Sequence, residues 1–230
     1  MQTPTQVAHA RLYPSLTNTS YLTLRSRRMI FSSWARLFAD KSLTVLDVGG
    51  QYQPYRPLFA KNIHRYISVD LIPTEFVTLL ANAEALPFPP NTFDLVIATQ
   101  VFEYFRDPVQ TAKNIHAVLK PGGTFLGSFA ACAPRFSRKE RWRFTTLGLR
   151  QLFEPFATVE IVPELNTAES ILRTVNIGTD AIVRHRLARG LHHVTLCPLL
   201  NLLGLVLQKL PLPPDDTFTT NFSVRAVKAT

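Results

Sequence analysis

Apolar residues along this chain follow two rhythms. The stretches "SLTVLDVGG", "HRYISVDL", "FDLVIATQ", "TFLGSFA" and "ATVEIVP" are short and nearly continuous in apolar residues. That pattern predicts strands covered on both faces. "NFSVRAVK" near the carboxyl end alternates instead and predicts one more strand. Between them the spacing turns helical. Ile30, Trp34, Leu37 and Phe38 share one face before the first strand, with arginines on the other side. Ala112, Ile115, Val118 and Leu119 share another face, with Pro121 and Gly122 as the stop. "TTLGLRQLFEPF" reads as a further helix. Strands alternating with helices imply a mostly parallel sheet joined by crossover helices.

Composition fits this picture. The chain has 230 residues, 46% of them hydrophobic and 18% charged, enough for one domain with a full core. The net charge of +9 favours anionic partners: phosphate esters, nucleic acid or an anionic membrane surface. Cys132 and Cys197 cannot form a disulfide framework, and no metal-ligand spacing occurs. "MQTPTQVAHARLYPSL" lacks the apolar core of a signal peptide. These features together lead to the expectation of a cytoplasmic protein.

In open α/β sheets, ligands sit beyond the carboxyl ends of the strands. Asp47, Asp70 and Gln100 all fall at such ends. Gly49 and Gly50 follow Asp47 and let the backbone turn sharply and approach a ligand closely. Asp70 is placed to accept from both hydroxyls of a ribose. A dinucleotide would ask for G-x-G-x-x-G, but V-G-G-Q-Y-Q-P lacks the third glycine and carries Pro54.

The ordered set of segments resembles the class I S-adenosylmethionine-dependent methyltransferases, of the type 11 or UbiE-like kind. "VLDVGG" resembles the family's first motif and "YISVDL" its second. "ANAEALPFPPNTFDLVIATQVFEYFRDP", "LKPGGTFLGSF" and "RWRFTTLGLRQLF" follow in the family's order, and the resemblance covers roughly residues 40–162. It implies a Rossmann-like seven-stranded, mostly parallel sheet with helices on both faces and the last strand antiparallel. It also implies S-adenosylmethionine as cofactor. Asp47, Gly49, Gly50 and Gln51 would then line the methionine end, with Gln100 beside it. Asp70 and Leu71 would meet the ribose side, and Asn82 with Ala83 the adenine edge. Two departures stand out. Gln51 replaces a usual glycine, and Tyr104 replaces a usual histidine, which removes one base.

No residue declares itself catalytic. Glu103, Tyr104 and His116 are the candidates for a base. "ACAPRFSRKERWRF" mixes cations with aromatics, which suits either an anion site or a solvated loop anchored by Trp142 and Phe144.

The expected organisation is a helical segment over 1–40, a cofactor core over 41–163, a helical insertion over 164–216 and a last strand over 217–230. In the insertion, Ala168, Ile171, Leu172 and Val175 follow helical spacing. "CPLLNLLGLVLQKLPLP" is apolar nearly all round, yet reads as too short and too broken by Asn201 and Gly204 to span a bilayer. It suits burial, self-association or peripheral membrane contact through 191–210, with Arg184, Arg186, Arg189 and Lys209 nearby. The expected acceptor is a small molecule or a lipid- or sugar-linked compound. The alternatives are a non-catalytic module that keeps the fold, and a nucleic-acid methyltransferase. Scattered cations without a stacking platform weigh against nucleic acid.

Overall fold

The computed structural model describes residues 2–209 and 216–230. Residues 210–215 of the expected insertion, and with them the end of the 191–210 run, lie outside the described residues. Two helices come first, α1 (Pro4–Leu12) and α2 (Tyr21–Ala35). The sheet strands are β1 (Leu43–Val48), β2 (Ile63–Asp70), β3 (Leu79–Leu80), β4 (Phe93–Thr99), β5 (Leu119–Ala130), β6 (Thr158–Pro163) and β7 (Asn221–Val227). Helix α3 (Pro108–Val118) joins β4 to β5, and α4 (Thr146–Leu152) precedes β6. Three helices, α5 (Thr167–Ile182), α6 (Arg186–Val194) and α7 (Leu196–Leu207), separate β6 from the last strand.

The strand order is β3-β2-β1-β4-β5-β7-β6, with only β7 antiparallel to its neighbours. The order reverses direction at β1, which opens the crevice that such sheets use for ligands. Alternation along β1 shows how the sheet is covered twice. Leu46 and Val48 face a cluster built on Phe102, Phe125, Phe129 and Phe153, closed by Ile115 of α3 and Leu149 of α4. Leu43 and Val45 face the other cluster, where Leu12 of α1 and Phe31 and Trp34 of α2 close the layer. Phe125 and Phe153 stack at 4.8 Å between ring centres.

Local chemistry sets the boundaries. Thr3 caps α1 in a reciprocal capping box with Gln6, and Pro4 occupies the first turn. Asp107 caps α3 through Gln110 N, and Asn166 caps α5 through Glu169 N. Helix α3 ends at Val118, earlier than the Pro121-Gly122 stop, because β5 already begins at Leu119. The residues before Gly122 are drawn into the sheet by pairing with β4, where Leu119 lies opposite Phe93.

Candidate functional site

The turn after β1 is held from behind. Both Gly49 N and Gly50 N donate to Val69 O, at 2.8 and 3.2 Å. Gly49 adopts φ +74, and a Cβ there would lie 2.6 Å from Val101 Cγ2. A Cβ on Gly50 would lie 2.7 Å from Ser68 Cβ. Both positions therefore need glycine for backbone geometry and close packing. Asp47 is buried beneath the turn, where its carboxylate accepts from Tyr66 Oη at 2.6 Å. Burial, with Asp70 adding to it, pushes that carboxyl up to about 7 against the lowering bond from Tyr66. Gln51 O accepts from Thr74 Oγ1 at 2.9 Å, and Gln53, at φ +48, donates through Nε2 to Phe76 O at 2.6 Å. The loop thus rests on the segment after β2.

Asp70 ends β2 half-buried. One oxygen accepts from Ile72 N at 2.8 Å, and the other makes no bond among the described residues. Leu71 beside it is exposed. Asn82 caps a short 3₁₀ turn over Ala83–Ala85 through Glu84 N at 3.0 Å, which leaves its amide N–H₂ open. Ala83 is buried beside it. Helix α1 closes over this edge: Thr5 Oγ1 donates to Glu75 at 3.2 Å, and the Arg11 guanidinium lies 4.6 Å from the centre of the Tyr52 ring.

Gln100 takes φ +52, a strained angle for a non-glycine residue. Three bonds hold it: its N to Ser128 O at 2.9 Å, its Nε2 to Ser128 Oγ at 3.3 Å, and Asn221 Nδ2 to its Oε1 at 3.1 Å. The amide is turned toward β5 and β7. Asp70, Asn82 and the glycine turn gather on the β1–β2 side, whereas Gln100 looks to the opposite wall.

Of the three candidate bases, only Glu103 stands buried at the strand ends. It accepts from Ala130 N with one oxygen, and Oε2 is buried without a partner. Burial raises its carboxyl to about 7. Tyr104 is exposed and donates to Glu140 at 3.3 Å. His116 packs its ring edge-on to Phe156 at 4.9 Å, near the opposite end of the sheet. In the basic loop, Trp142 donates to Phe105 O at 2.7 Å, Phe144 is buried, and Arg143 is bound by Glu140 at 2.6 Å. That loop is anchored in the way the second expectation described.

Sequence reasoning missed a polar cluster on the same wall. Arg27 of α2 bonds Glu164 through two parallel contacts, at 2.7 and 2.9 Å, and Ser223 Oγ donates to the same carboxylate at 2.8 Å. Arg173 of α5 is buried close by. The available signal was a charge inside an otherwise apolar helical pattern, as at Arg27 between Leu24 and Phe31. Among the described residues no group of acids, histidines and cysteines could hold a metal.

A doubly wound sheet, a glycine turn and a strand-end acid with an open oxygen define a domain shaped for a nucleoside-bearing ligand. Residues 46–127 match the family described as Methyltransferase domain. The "Arginine-hydroxylase NDUFAF5, mitochondrial" of Rattus norvegicus is 33% identical over 119 residues, which is 48% of this chain and 33% of that protein. The "Ubiquinone/menaquinone biosynthesis C-methyltransferase UbiE" of Enterobacter sp. (strain 638) is 31% identical over 108 residues, 47% of this chain and 38% of that one. The solved structure of Burkholderia thailandensis 1,6-didemethyltoxoflavin-N1-methyltransferase, with S-adenosylhomocysteine bound, shares the fold. Its TM-score is 0.55 at 14% identity, covering 90% of this chain and 79% of that one. Residues 46–127 thus carry a methyltransferase domain, and the sheet around them has the fold of S-adenosylmethionine-dependent methyltransferases. The chain spans about a third of the length of these curated relatives.

Proposed function

We propose that this protein moves a methyl group from S-adenosylmethionine to a small-molecule or lipid- or sugar-linked acceptor. The acceptor would sit against the carboxyl ends of β4 and β5 and the start of β7. One observation carries the reading: the open carboxylate oxygen of Asp70 and the unpartnered Oε2 of Glu103 follow β2 and β4, the two strands that flank β1 and its glycine turn.

The residues present fit the cofactor. Asp70 has an oxygen to spare for ribose hydroxyls, Asn82 a free amide for the adenine edge, and the 49–50 turn carries no side chain. S-Adenosylmethionine, when bound, supplies a methyl group already activated by positive sulfur. The chain's own task is to hold the two partners in line and exclude water. Such positioning is worth about 7–11 kcal/mol. A base is needed only where the acceptor must shed a proton. Glu103 suits that role, because a carboxyl that titrates near neutrality can take a proton at working pH. Incubation with methyl-labelled cofactor and small-molecule and lipid extracts tests the proposal. Label should enter an acceptor, and Glu103→Gln should slow the transfer. Cofactor binding without label in any fraction would favour the non-catalytic module instead.

We also propose contact with an anionic lipid surface. Leu187, Leu191 and Val194 of α6 and Leu199, Leu202, Leu203 and Val206 of α7 are exposed. Arg184 and Arg186 flank them, and the chain carries +9 overall. Read together with α6, Arg186–Leu207 is 22 residues containing an 18-residue window of mean hydropathy 1.6, long and apolar enough to cross a membrane by length and composition. The shorter run alone read as too short. The inner faces of both helices pack on the domain through His192, Cys197 and Asn201, which favours lying on a bilayer over spanning it.

A further inference from the structure

Two buried arginines face the inner side of the insertion, and among the described residues only one of them bonds a carboxylate. Arg27 and Glu164 form a two-pronged pair that Ser223 completes. Arg173 is 4% exposed, yet its guanidinium makes no hydrogen bond among the described residues, and Nε and Nη1 are wholly shielded. It stands close enough to Arg27 and Glu164 to feel both charges. Burial first, then Arg27, lower its pKa to about 10. Glu169, one helical turn before it, makes no bond to it: one oxygen accepts from Asn166 N at 3.1 Å, and Oε1 is buried without a hydrogen-bond partner. Ser170 Oγ, on the same inner face, is also buried without a partner.

A buried guanidinium with an unused donor fork is costly to hold, and such groups ordinarily pair. Arg27 and Glu164 bond one another, so no carboxylate among the described residues bonds Arg173. A single negative charge on a planar, two-oxygen group would balance it and match the fork. A dianionic phosphate monoester would leave an excess negative charge in the same place. The wall adjoins the crevice: Glu164 N donates to Asn221 O at 2.9 Å, and Asn221 Nδ2 donates to Gln100 Oε1 at 3.1 Å.

We infer that Arg173 anchors the acceptor by a carboxylate, docked on its guanidinium with Ser170 alongside and Arg27 behind. This rests on the methyl-transfer reading of the same crevice and narrows its acceptor to a carboxylic acid.

The test uses the full chain saturated with S-adenosylhomocysteine, titrated with hexanoate, its neutral analogue hexanamide, or inorganic phosphate while unfolding is followed by heat. Hexanoate should raise Tm with concentration and hexanamide should not. Arg173→Met should weaken the hexanoate response at least tenfold, keep S-adenosylhomocysteine affinity, and melt above wild type without hexanoate because it deletes an unpaired buried charge. Arg173→Gln should lose the response in the same way. Wild type that ignores hexanoate, or variants that respond like wild type, would overturn the inference. So would Arg173→Met melting below wild type, which marks a structural arginine. Phosphate acting through Arg173 more strongly than hexanoate would overturn the carboxylate assignment. Failure of wild type to bind S-adenosylhomocysteine would instead strike the methyl-transfer reading, and the hexanoate response of the chain alone would still be measured.

Discussion

The sheet and the helical insertion are built with opposite polarity. Around the sheet, phenylalanines fill the interior, with Phe102, Phe125, Phe129 and Phe153 in mutual contact. The insertion is inside out. Helix α5 turns Glu169, Ser170, Arg173 and Asn176 inward and leaves Ile171, Val175 and Ile182 exposed. Helix α7 does the same, with Cys197, Asn201 and Gly204 inward and its leucines outward. Gly204 allows close docking, since a Cβ there would lie 2.5 Å from Leu22 Cδ1 of α2. Asn201 Nδ2 then donates to Leu16 O at 2.7 Å and Asn18 O at 3.0 Å. Burial of apolar surface stabilises the sheet. The insertion is held by small residues and hydrogen bonds, with its polar groups inside and many of its apolar ones outside.

Substitutions can break this contrast in order of size. Arg27→Met strands Glu164 as an uncompensated buried charge and should cost about 3–5 kcal/mol in denaturant unfolding. A neutral outcome would mean that the inner wall tolerates bare charge. Gly49→Val meets both a left-handed backbone angle and the Val101 side chain, and should cost about 1–3 kcal/mol and abolish S-adenosylhomocysteine binding. The damage reaches folding, not the ligand space alone, because the obstructing atom belongs to Val101.

The third test is a pH profile. In the unfolded chain Glu103 ionises near 4.5, whereas burial holds it protonated to about 7 in the fold. The folded state therefore keeps the extra proton between these values. Stability should fall as pH rises through that window and level off above 7. Asp47, raised from 3.8 to about 7, acts in the same direction. Glu103→Gln should remove its share, flatten the profile between pH 5 and 7, and stabilise the protein at pH 8 by on the order of 2–3 kcal/mol. A profile that keeps its slope in the variant would contradict the assignment. The smallest effect on folding belongs to Leu191→Asp on the outer face, within about 0.5 kcal/mol. The same variant should stop co-sedimenting with anionic vesicles that retain wild type. Equal retention of both proteins would remove the lipid surface from the account.

The sheet was legible because β1, β2 and β4 are covered on both sides and write themselves as unbroken apolar runs. β3 was not, since Leu79–Leu80 is two exposed residues held only by pairing with β2. Helix α1 left a readable trace in Thr3, Pro4 and Gln6, a capping signal and not an apolar face. The insertion misleads for a physical reason. Ile171 and Val175 share a helical face with the spacing of a core, but that face points outward. Periodicity reports that a helix has two sides and does not say which side is buried. The crevice was partly legible: Asp70 and the 49–50 turn stand where strand-end logic put them. The hold of β7 on Gln100, and the Arg27–Glu164 pair, depend on contacts across more than 100 positions and leave no local mark.

Calorimetric titration of S-adenosylhomocysteine tests the central claim most directly. Wild type should bind one equivalent, Asp70→Ala should bind more weakly by roughly 1.5–3 kcal/mol, and Leu191→Asp should bind like wild type. Wild type without measurable affinity, or Asp70→Ala with undiminished affinity, would contradict the placement of the cofactor at the end of β2.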